Sequence, residues 1–179
     1  MKTGKISRRY FIKAAGATAA VVALGNFVAF PAGCGPKKAA FSNKLPVPPL
    51  AQNNSTDSSR VVFDLTVQKG TSQFFEGKST ATLGYNGNYL GPVLRAKKGQ
   101  QVSIKVKNTL DEETAIHWHG VIVPGEMDGG PHQTIAAGSE WNHGYTIQQQ
   151  AATVWYHAHP LGKTAPQVYK GLAGVFIID

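Results

Sequence analysis

The sequence predicts an all-β fold, a Greek-key sandwich or barrel of about eight strands. Short runs rich in β-branched residues recur along the chain and are separated by turns containing glycine, proline or asparagine. Glycine and proline are frequent, at 20 and 10 of 179 residues, whereas charged residues make up only 16%. No convincing amphipathic helix interrupts these runs. Together these observations favour one domain of paired strands over a helical domain.

Strand signals follow one another with clear turns between them. Val102, Ile104 and Val106 alternate with polar residues, which is the pattern of a half-buried strand. Gly77 separates two strand-like runs and predicts a hairpin. The predicted strands comprise residues 61–67, 73–76, 78–85, 92–96, 102–106, the segment of the first histidine pair, 141–148, 153–157 and 174–178.

The first 33 residues are interpreted as an export signal. A basic start precedes an apolar run from Ala14 to Phe30, whose 17 residues and internal glycines make it too short and weak for a membrane span. Residues 7–13, Ser-Arg-Arg-Tyr-Phe-Ile-Lys, resemble the twin-arginine signal motif. That route carries folded proteins across the inner membrane, so the resemblance implies a periplasmic or cell-envelope location. The alternative is an ordinary secretory signal.

Residues 34–59 are predicted to be a Pro/Ser-rich linker and residues 60–179 the folded domain. Small residues before Cys34 resemble a lipoprotein processing site, although Pro31 stands where an aliphatic residue is usual. Acylation of Cys34 would attach the protein to a membrane. The alternative is a soluble mature protein that is cleaved nearby.

The net charge of +8 overstates how basic the folded domain is. Five of the 18 basic residues lie in the first 33 residues, which contain no acid, and this leaves 13 basic against 10 acidic residues. A net charge of +3 without a basic stripe and interleaved aromatics excludes nucleic acid as the expected partner. The single cysteine cannot form an internal disulfide.

Two His-x-His pairs hold four of the six histidines: His117 with His119, and His157 with His159. Side chains alternate along a strand with a rise of about 3.3 Å per residue, so both histidines of a pair face the same way. Their bases then lie roughly 6–7 Å apart, which suits two neighbouring metal ions better than chelation of one. Imidazoles without thiolate or carboxylate favour copper, zinc, iron or nickel.

Aromatic residues flank both pairs, namely Trp118, Trp155 and Tyr156. They are consistent with ordinary core aromatics. A buried apolar wall behind a metal site also excludes water and restrains the imidazole rotamers, so the two interpretations are compatible.

The ordered motifs resemble the first cupredoxin domain of bacterial multicopper oxidases, the branch with periplasmic cuprous oxidases, spore-coat laccases and bilirubin oxidases. The resemblance covers residues 46–179. It rests on His117-Trp118-His119-Gly120, on residues 124–131 (Pro-Gly-Glu-Met-Asp-Gly-Gly-Pro), on residues 155–159 (Trp-Tyr-His-Ala-His), on Gln167 and on residues 171–174 (Gly-Leu-Ala-Gly).

The resemblance implies a trinuclear copper centre that reduces dioxygen to water while a one-electron donor, cuprous ion or a phenol, is oxidised. By position, His117 corresponds to a ligand of the type 2 copper, and His119, His157 and His159 to ligands of the type 3 pair. Asp128 matches an acidic position that assists proton delivery. The alternative for Asp128 is a turn former before two glycines.

Three other residues are assigned no role in the centre. Glu126 is interpreted as a solvated loop charge, and His132 and His143 as surface or structural residues. None of the three matches a ligand position of the family.

The sequence lacks some of the copper ligands that the family uses. The centre uses eight histidines and these residues supply four, while no His-Cys-His segment for a type 1 copper is present. The chain is therefore expected to be the N-terminal domain of an oxidase that was truncated, split or incompletely recorded, and inactive alone. Its expected partners are C-terminal cupredoxin domains or a partner chain, dioxygen and the reducing substrate, whose identity stays open.

Two other functions are compatible with the residues. A non-catalytic copper-binding or envelope structural protein of the same fold would need the domain but no oxidase activity. A mononuclear enzyme of the cupin type would also use His-x-His on a β-barrel, but it would place a ligand glutamate sooner after the pair than Glu126.

Overall fold

The structure, a computed structural model, describes residues 45–179. Residues from Pro46 to Asp179 form one compact unit. The predicted signal, residues 1–33, and Cys34 lie outside the described residues. Between residues 45 and 179, no helix has the length and apolar character needed to cross a bilayer.

Strands dominate the described part of the chain. The eight strands are β1 (Arg60–Phe75), β2 (Lys78–Tyr85), β3 (Leu94–Ala96), β4 (Gln101–Asn108), β5 (Ile116–His119), β6 (Glu140–Thr146), β7 (Ala152–Ala158) and β8 (Ala173–Ile178). Within residues 45–179, a single 3₁₀ turn, Gly125–Met127, follows β5, and one α-helix, α1 (Thr164–Lys170), lies between β7 and β8.

The strands form two four-stranded sheets, with the orders β2-β1-β4-β6 and β3-β8-β7-β5. β1 pairs with β4, and β3 with β8, in parallel, while the other ladders are antiparallel. The predicted all-β sandwich is therefore confirmed. Both strands with histidine pairs lie next to each other in the second sheet, with β5 at its edge.

The core lies between the two sheets and is built by the alternating side chains that the sequence predicts. Val102, Ile104 and Val106 of β4 are buried, and their polar neighbours face outward. Trp118 is the largest fully buried side chain and comes from β5. Its burial orients β5, because the residues on either side of Trp118 must then project from the opposite face of the sheet.

Two elements differ from the sequence prediction. The segments 61–67 and 73–76 belong to one continuous strand, β1, which passes Gly70 where the backbone of Asn88 leaves no room for a side chain. The helix α1 was not predicted at all. It has seven residues with only Gln167 buried, so it shows no apolar periodicity.

Residues 46–59, assigned to the linker, lie along the sandwich. Leu50 forms an isolated bridge with Val93, and the Asn53 side chain accepts a hydrogen bond of 2.8 Å from the Val62 amide. The first strand begins at Arg60. The division of the chain into signal, linker and domain stays a prediction.

Candidate metal centre

The four paired histidines converge because β5 and β7 are antiparallel neighbours. Their register places His117 directly opposite His157. The ring centroid of His117 lies 5.6 Å from that of His119, 5.4 Å from His157 and 5.2 Å from His159. The structure therefore brings all four candidate ligands into one cluster, which we call the histidine cluster.

The potential ligand atoms are closest in three of the four residues. Nitrogens of His117, His119 and His157 lie within 4.8 Å of one another. His119 Nδ1 is 3.2 Å from His157 Nε2. His159 borders this group, with its ring centroid 5.5 Å from that of His157. Its buried Nδ1 has no hydrogen-bond partner within residues 45–179. An unpartnered buried nitrogen of this kind fits a metal ligand.

Hydrogen bonds set the tautomer of two rings. The Nδ1–H of His157 donates to the Ala158 carbonyl at 2.9 Å. The Nδ1–H of His117 donates to Asp128, whose carbonyl oxygen is at 3.0 Å and whose Oδ1 is at 3.1 Å. In both residues Nε2 is left unprotonated, and unprotonated nitrogen is the form that binds a metal.

His157 is held neutral by its surroundings. Its side chain is buried, at 5% exposure. Burial lowers the pKa of His157 below its ordinary value, and the neighbouring His117, His159 and His119 lower it further. A neutral ring can bind a metal without first losing a proton.

Asp128 lies at the end of the 3₁₀ turn and contacts the cluster through His117. Its carbonyl oxygen also accepts a hydrogen bond of 3.3 Å from the Trp118 amide, so its loop is attached to the edge strand β5. The Asp128 side chain is 38% exposed, which leaves its carboxylate open to solvent. Glu126, one turn earlier, is exposed and does not belong to the histidine cluster.

The other two histidines of the domain do not join the cluster. His132 is exposed. His143 is buried and stacks on Trp141, with ring centroids 3.7 Å apart and an interplanar angle of 11°. Both fit the structural roles expected for them from the sequence.

Aromatic side chains bound the cluster on two sides. Trp118 and Tyr156 are fully buried behind it, as expected of core residues. Trp155 faces the cluster instead. Its ring stacks on His157 at 4.1 Å and lies 4.9 Å from His119, and the residue is 38% exposed. The aromatic residues expected to form an apolar wall therefore divide into two groups. Trp118 and Tyr156 lie in the core, whereas Trp155 lies at the surface.

Two glutamines that hold the loops around the cluster were not predicted from the sequence. The Gln133 side chain contacts the backbone on both sides of Asp128. The Gln149 side chain accepts from the Ile122 amide and donates to the Gly120 carbonyl, just beyond β5. Neither residue lies in a sequence pattern that distinguishes it from the other glutamines of the chain.

A groove of about 840 Å³ lies away from the cluster, runs between residues 46–52 and the β1–β2 hairpin, and is lined by no histidine. The histidine cluster on β5 and β7 is therefore separate from this groove.

Fold and site together define a class, the β-sandwich domains of cupredoxin type that present an imidazole cluster on two paired strands. The chain belongs to the multicopper oxidase family: residues 66–179 match the family model described as "Multicopper oxidase". Residues 5–25 match the model of the twin-arginine translocation signal, which indicates export across the cytoplasmic membrane to the periplasm or envelope.

Relatives of known sequence or structure agree with this family. The multicopper oxidase mco of Staphylococcus aureus is 44% identical over 137 residues, which is 76% of this chain and 31% of that protein. The cell division protein FtsP of Escherichia coli is 37% identical over 177 residues, which is 97% of this chain and 34% of that protein. The crystal structure of a laccase from Pediococcus acidilactici is 39% identical with a TM-score of 0.73, over 76% of this chain and 30% of that one. The chain thus spans about a third of the length of these relatives.

Proposed function

We propose that this chain supplies half of a trinuclear copper centre, at which dioxygen is reduced to water while a one-electron donor is oxidised. The observation that carries this proposal is the pairing of two His-x-His strands in a register that sets His117 opposite His157. Cuprous ion and phenols are the proposed classes of donor.

The donor set fits copper. The cluster offers imidazole nitrogens without thiolate, a set that suits copper, zinc, iron or nickel, and the family narrows the choice to copper. His117 would hold a type 2 ion, and His119, His157 and His159 would hold the type 3 pair. When bound, the copper ions would pass to dioxygen the four electrons that the donor delivers one at a time.

Asp128 is the proposed proton-handling residue of this half. Its carbonyl oxygen accepts the Nδ1–H of His117 at 3.0 Å and its Oδ1 lies 3.1 Å from the same nitrogen, so Nε2 of that ring is directed away from the loop. The same carboxylate is partly exposed, so it can take protons from solvent and deliver them towards the reacting dioxygen.

The remaining ligands and the electron-entry site must come from outside these 179 residues. The sequence contains four paired histidines and no His-Cys-His segment. We propose that further cupredoxin domains, or a partner chain, supply the other half against the open face of β5 and β7. The whole centre would work in the periplasm or cell envelope after twin-arginine export, and attachment through an acylated Cys34 stays a prediction.

Copper titration followed by electron paramagnetic resonance tests the proposal on the purified chain. The wild type should bind Cu(II) with a spectrum typical of nitrogen ligands, and His157→Asn should weaken binding at least about 10-fold, since it removes a ligand that is already neutral and oriented. His132→Asn changes an exposed histidine outside the cluster and is the matched control. Equal binding by all three chains would show that the cluster is not the copper site.

A second candidate is a non-catalytic role in the cell envelope. It is favoured by the match to the cell division protein FtsP, which extends over 97% of this chain, including the signal. The convergence of four histidines favours the copper site instead. A chain that binds no copper in the titration, yet folds normally, would support the structural role.

A further inference from the structure

The side chain of Gln133 spans the loop that carries Asp128. Its Oε1 accepts hydrogen bonds from the amides of Gly129 and Gly130, at 2.7 and 2.9 Å. Its Nε2 donates to the Gly125 carbonyl at 3.2 Å. One amide group therefore joins the residues before Asp128 to those after it.

Apart from Gln133, backbone hydrogen bonds hold the loop: the Met127 amide donates to the Pro124 carbonyl at 2.8 Å, and the Trp118 amide donates to the Asp128 carbonyl at 3.3 Å. The Asp128 amide reaches the Gly125 carbonyl at 3.4 Å, near the limit for a hydrogen bond. Gly129 has a φ of +73° and Gly130 follows it, so the backbone has wide conformational freedom here. Both glycines are buried, and their amides need an acceptor, which Gln133 provides.

What depends on this loop is the tautomer of His117. The His117 Nδ1–H donates to the Asp128 carbonyl at 3.0 Å, and the Asp128 Oδ1 lies 3.1 Å from the same nitrogen. If the loop moved by an ångström, the hydrogen bond and the carboxylate contact would be lost together, because one residue supplies them both.

We propose that Gln133 is a positioning residue for His117: by clamping the loop around Asp128, it keeps the proton of His117 on Nδ1 and Nε2 free for a metal. The inference rests on the proposed function only in taking His117 as a ligand. The clamp acts through Asp128, and Gln133 itself touches neither the ring nor a metal.

The clamp requires an amide of this length. Its oxygen serves as acceptor for two N–H groups while its nitrogen donates to a carbonyl, and no other common side chain of similar size offers both. A glutamate keeps the acceptor but turns an oxygen towards the Gly125 carbonyl. An asparagine keeps both functions but is one methylene shorter.

The tautomer of His117 can be read in the metal-free chain by long-range ¹H–¹⁵N correlation spectroscopy. The spectra are recorded near pH 8.5, well above the ordinary imidazole pKa of about 6.5. Wild type should show the proton on Nδ1. In Gln133→Met the ratio of the two tautomers should move towards Nε2–H by about fivefold, in line with the net worth of one hydrogen bond. Gln133→Glu keeps the acceptor for the two glycine amides but loses the donor to Gly125, so it should shift the ratio less than Gln133→Met does.

Gln100→Met is the matched control, since Gln100 also clamps a loop with both ends of its amide, accepting from the Lys97 amide and donating to the Ser58 carbonyl, away from the cluster. It should leave His117 unchanged. If Gln133→Met does not fold, Gln133→Asn takes its place with the same expected shift. A wild-type ring with its proton on Nε2, or a folded Gln133 variant with the wild-type ratio, would overturn the proposal.

Copper separates this inference from the proposed function. Gln133→Met should weaken Cu(II) binding roughly 10-fold, as loss of an outer hydrogen-bond partner of a ligand typically does. If the tautomer shifts as expected but the wild-type chain binds no copper, the proposed function fails while the role of Gln133 in positioning His117 stands.

Discussion

His143 is an imidazole enclosed by indole rings. It is 6% exposed, stacks on Trp141 and lies 5.2 Å from the ring centroid of Trp118. Neither of its ring nitrogens has a hydrogen-bond partner among residues 45–179. Burial lowers the pKa of His143 to about 3, because a charged ring cannot be hydrated there.

The neutral state of His143 makes the domain sensitive to acid. Below about pH 6.5 the unfolded chain binds a proton at this residue that the folded protein excludes until about pH 3. The free energy of unfolding therefore falls as the pH falls through this range, by about 2 kcal/mol between pH 6.5 and 5. Urea unfolding at pH 7 and pH 5 measures this loss. The fall in the free energy of unfolding between the two pH values should be about 2 kcal/mol smaller in His143→Phe than in wild type.

The difference between the two chains isolates His143, because every other ionisable group is common to both. His132→Asn, at an exposed position, should keep the wild-type dependence on pH. Parallel curves for wild type and His143→Phe would mean that His143 accepts a proton in the folded state.

At this scale the sequence predicted that the four candidate ligands would converge, but it did not predict the residues that support them. The spacing of His117 with His119 and of His157 with His159 was enough to predict shared faces, because alternation along a strand is a local property. The roles of Trp155 and Gln133 depend on residues that are distant in sequence or on loop geometry. No local pattern carries that information.

Among the elements, the edge strand β5 depends on the loop that follows it. The loop packs so closely that a Cβ on Gly129 would lie 1.6 Å from the Ile116 carbonyl oxygen. The Trp118 amide donates to the Asp128 carbonyl in the same place. The loop therefore covers the free edge of the sheet at the point where the first histidine pair lies.

Substitution of Gly129 should separate steric contact from backbone preference. Gly129→Ala meets the Ile116 carbonyl and also takes a φ of +73°, whereas Gly138→Ala takes a φ of +74° with open space around it. In both variants the free energy of unfolding should fall by about 1 kcal/mol, because alanine disfavours the left-handed conformation. In Gly129→Ala the free energy of unfolding should fall by roughly a further 1–3 kcal/mol, because the added methyl group overpacks the contact with Ile116.

Urea unfolding of the two variants at neutral pH measures this difference directly. Equal losses would show that the loop can move away from β5 without cost. A loop displaced in this way should also weaken the hydrogen bonds of Asp128 to His117.

The elements show where sequence patterns reach their limit. Alternation predicted β4 almost to its ends, because Val102, Ile104 and Val106 face one core. The helix α1 was not predicted because its one buried residue, Gln167, is polar. The Gln167 side chain accepts a hydrogen bond from the Thr114 hydroxyl and donates one to the Glu113 carbonyl, and so anchors the segment before β5. A helix held by hydrogen bonds leaves no apolar stripe to find.

For the whole molecule, copper should act as a stabilising ligand. A metal that binds only the folded cluster raises the free energy of unfolding by about 2.7 kcal/mol when its concentration is 100 times its dissociation constant. Thermal unfolding of the chain with Cu(II) should show the higher transition temperature, and a chelator should reverse it. His157→Asn should show little shift, and an equal shift in that variant would place the metal elsewhere.

The global arrangement could be predicted only in outline. An all-β sandwich follows from composition and alternation, whereas the register that sets His117 against His157 joins strands forty residues apart along the chain. The motif resemblance, not the local patterns, led to the family to which the chain belongs.

The parallel pairing of β3 with β8 has a consequence for how the protein reaches its working state. It joins Leu94 to Phe176, so the sheet that carries both histidine pairs is incomplete until residues 173–178 have been synthesised. Sandwiches dominated by such distant contacts fold in milliseconds to seconds, since loop closure precedes any gain from pairing. Residues 5–25 match a twin-arginine signal, and the expectation that this route carries folded proteins fits a sheet that closes so late in synthesis.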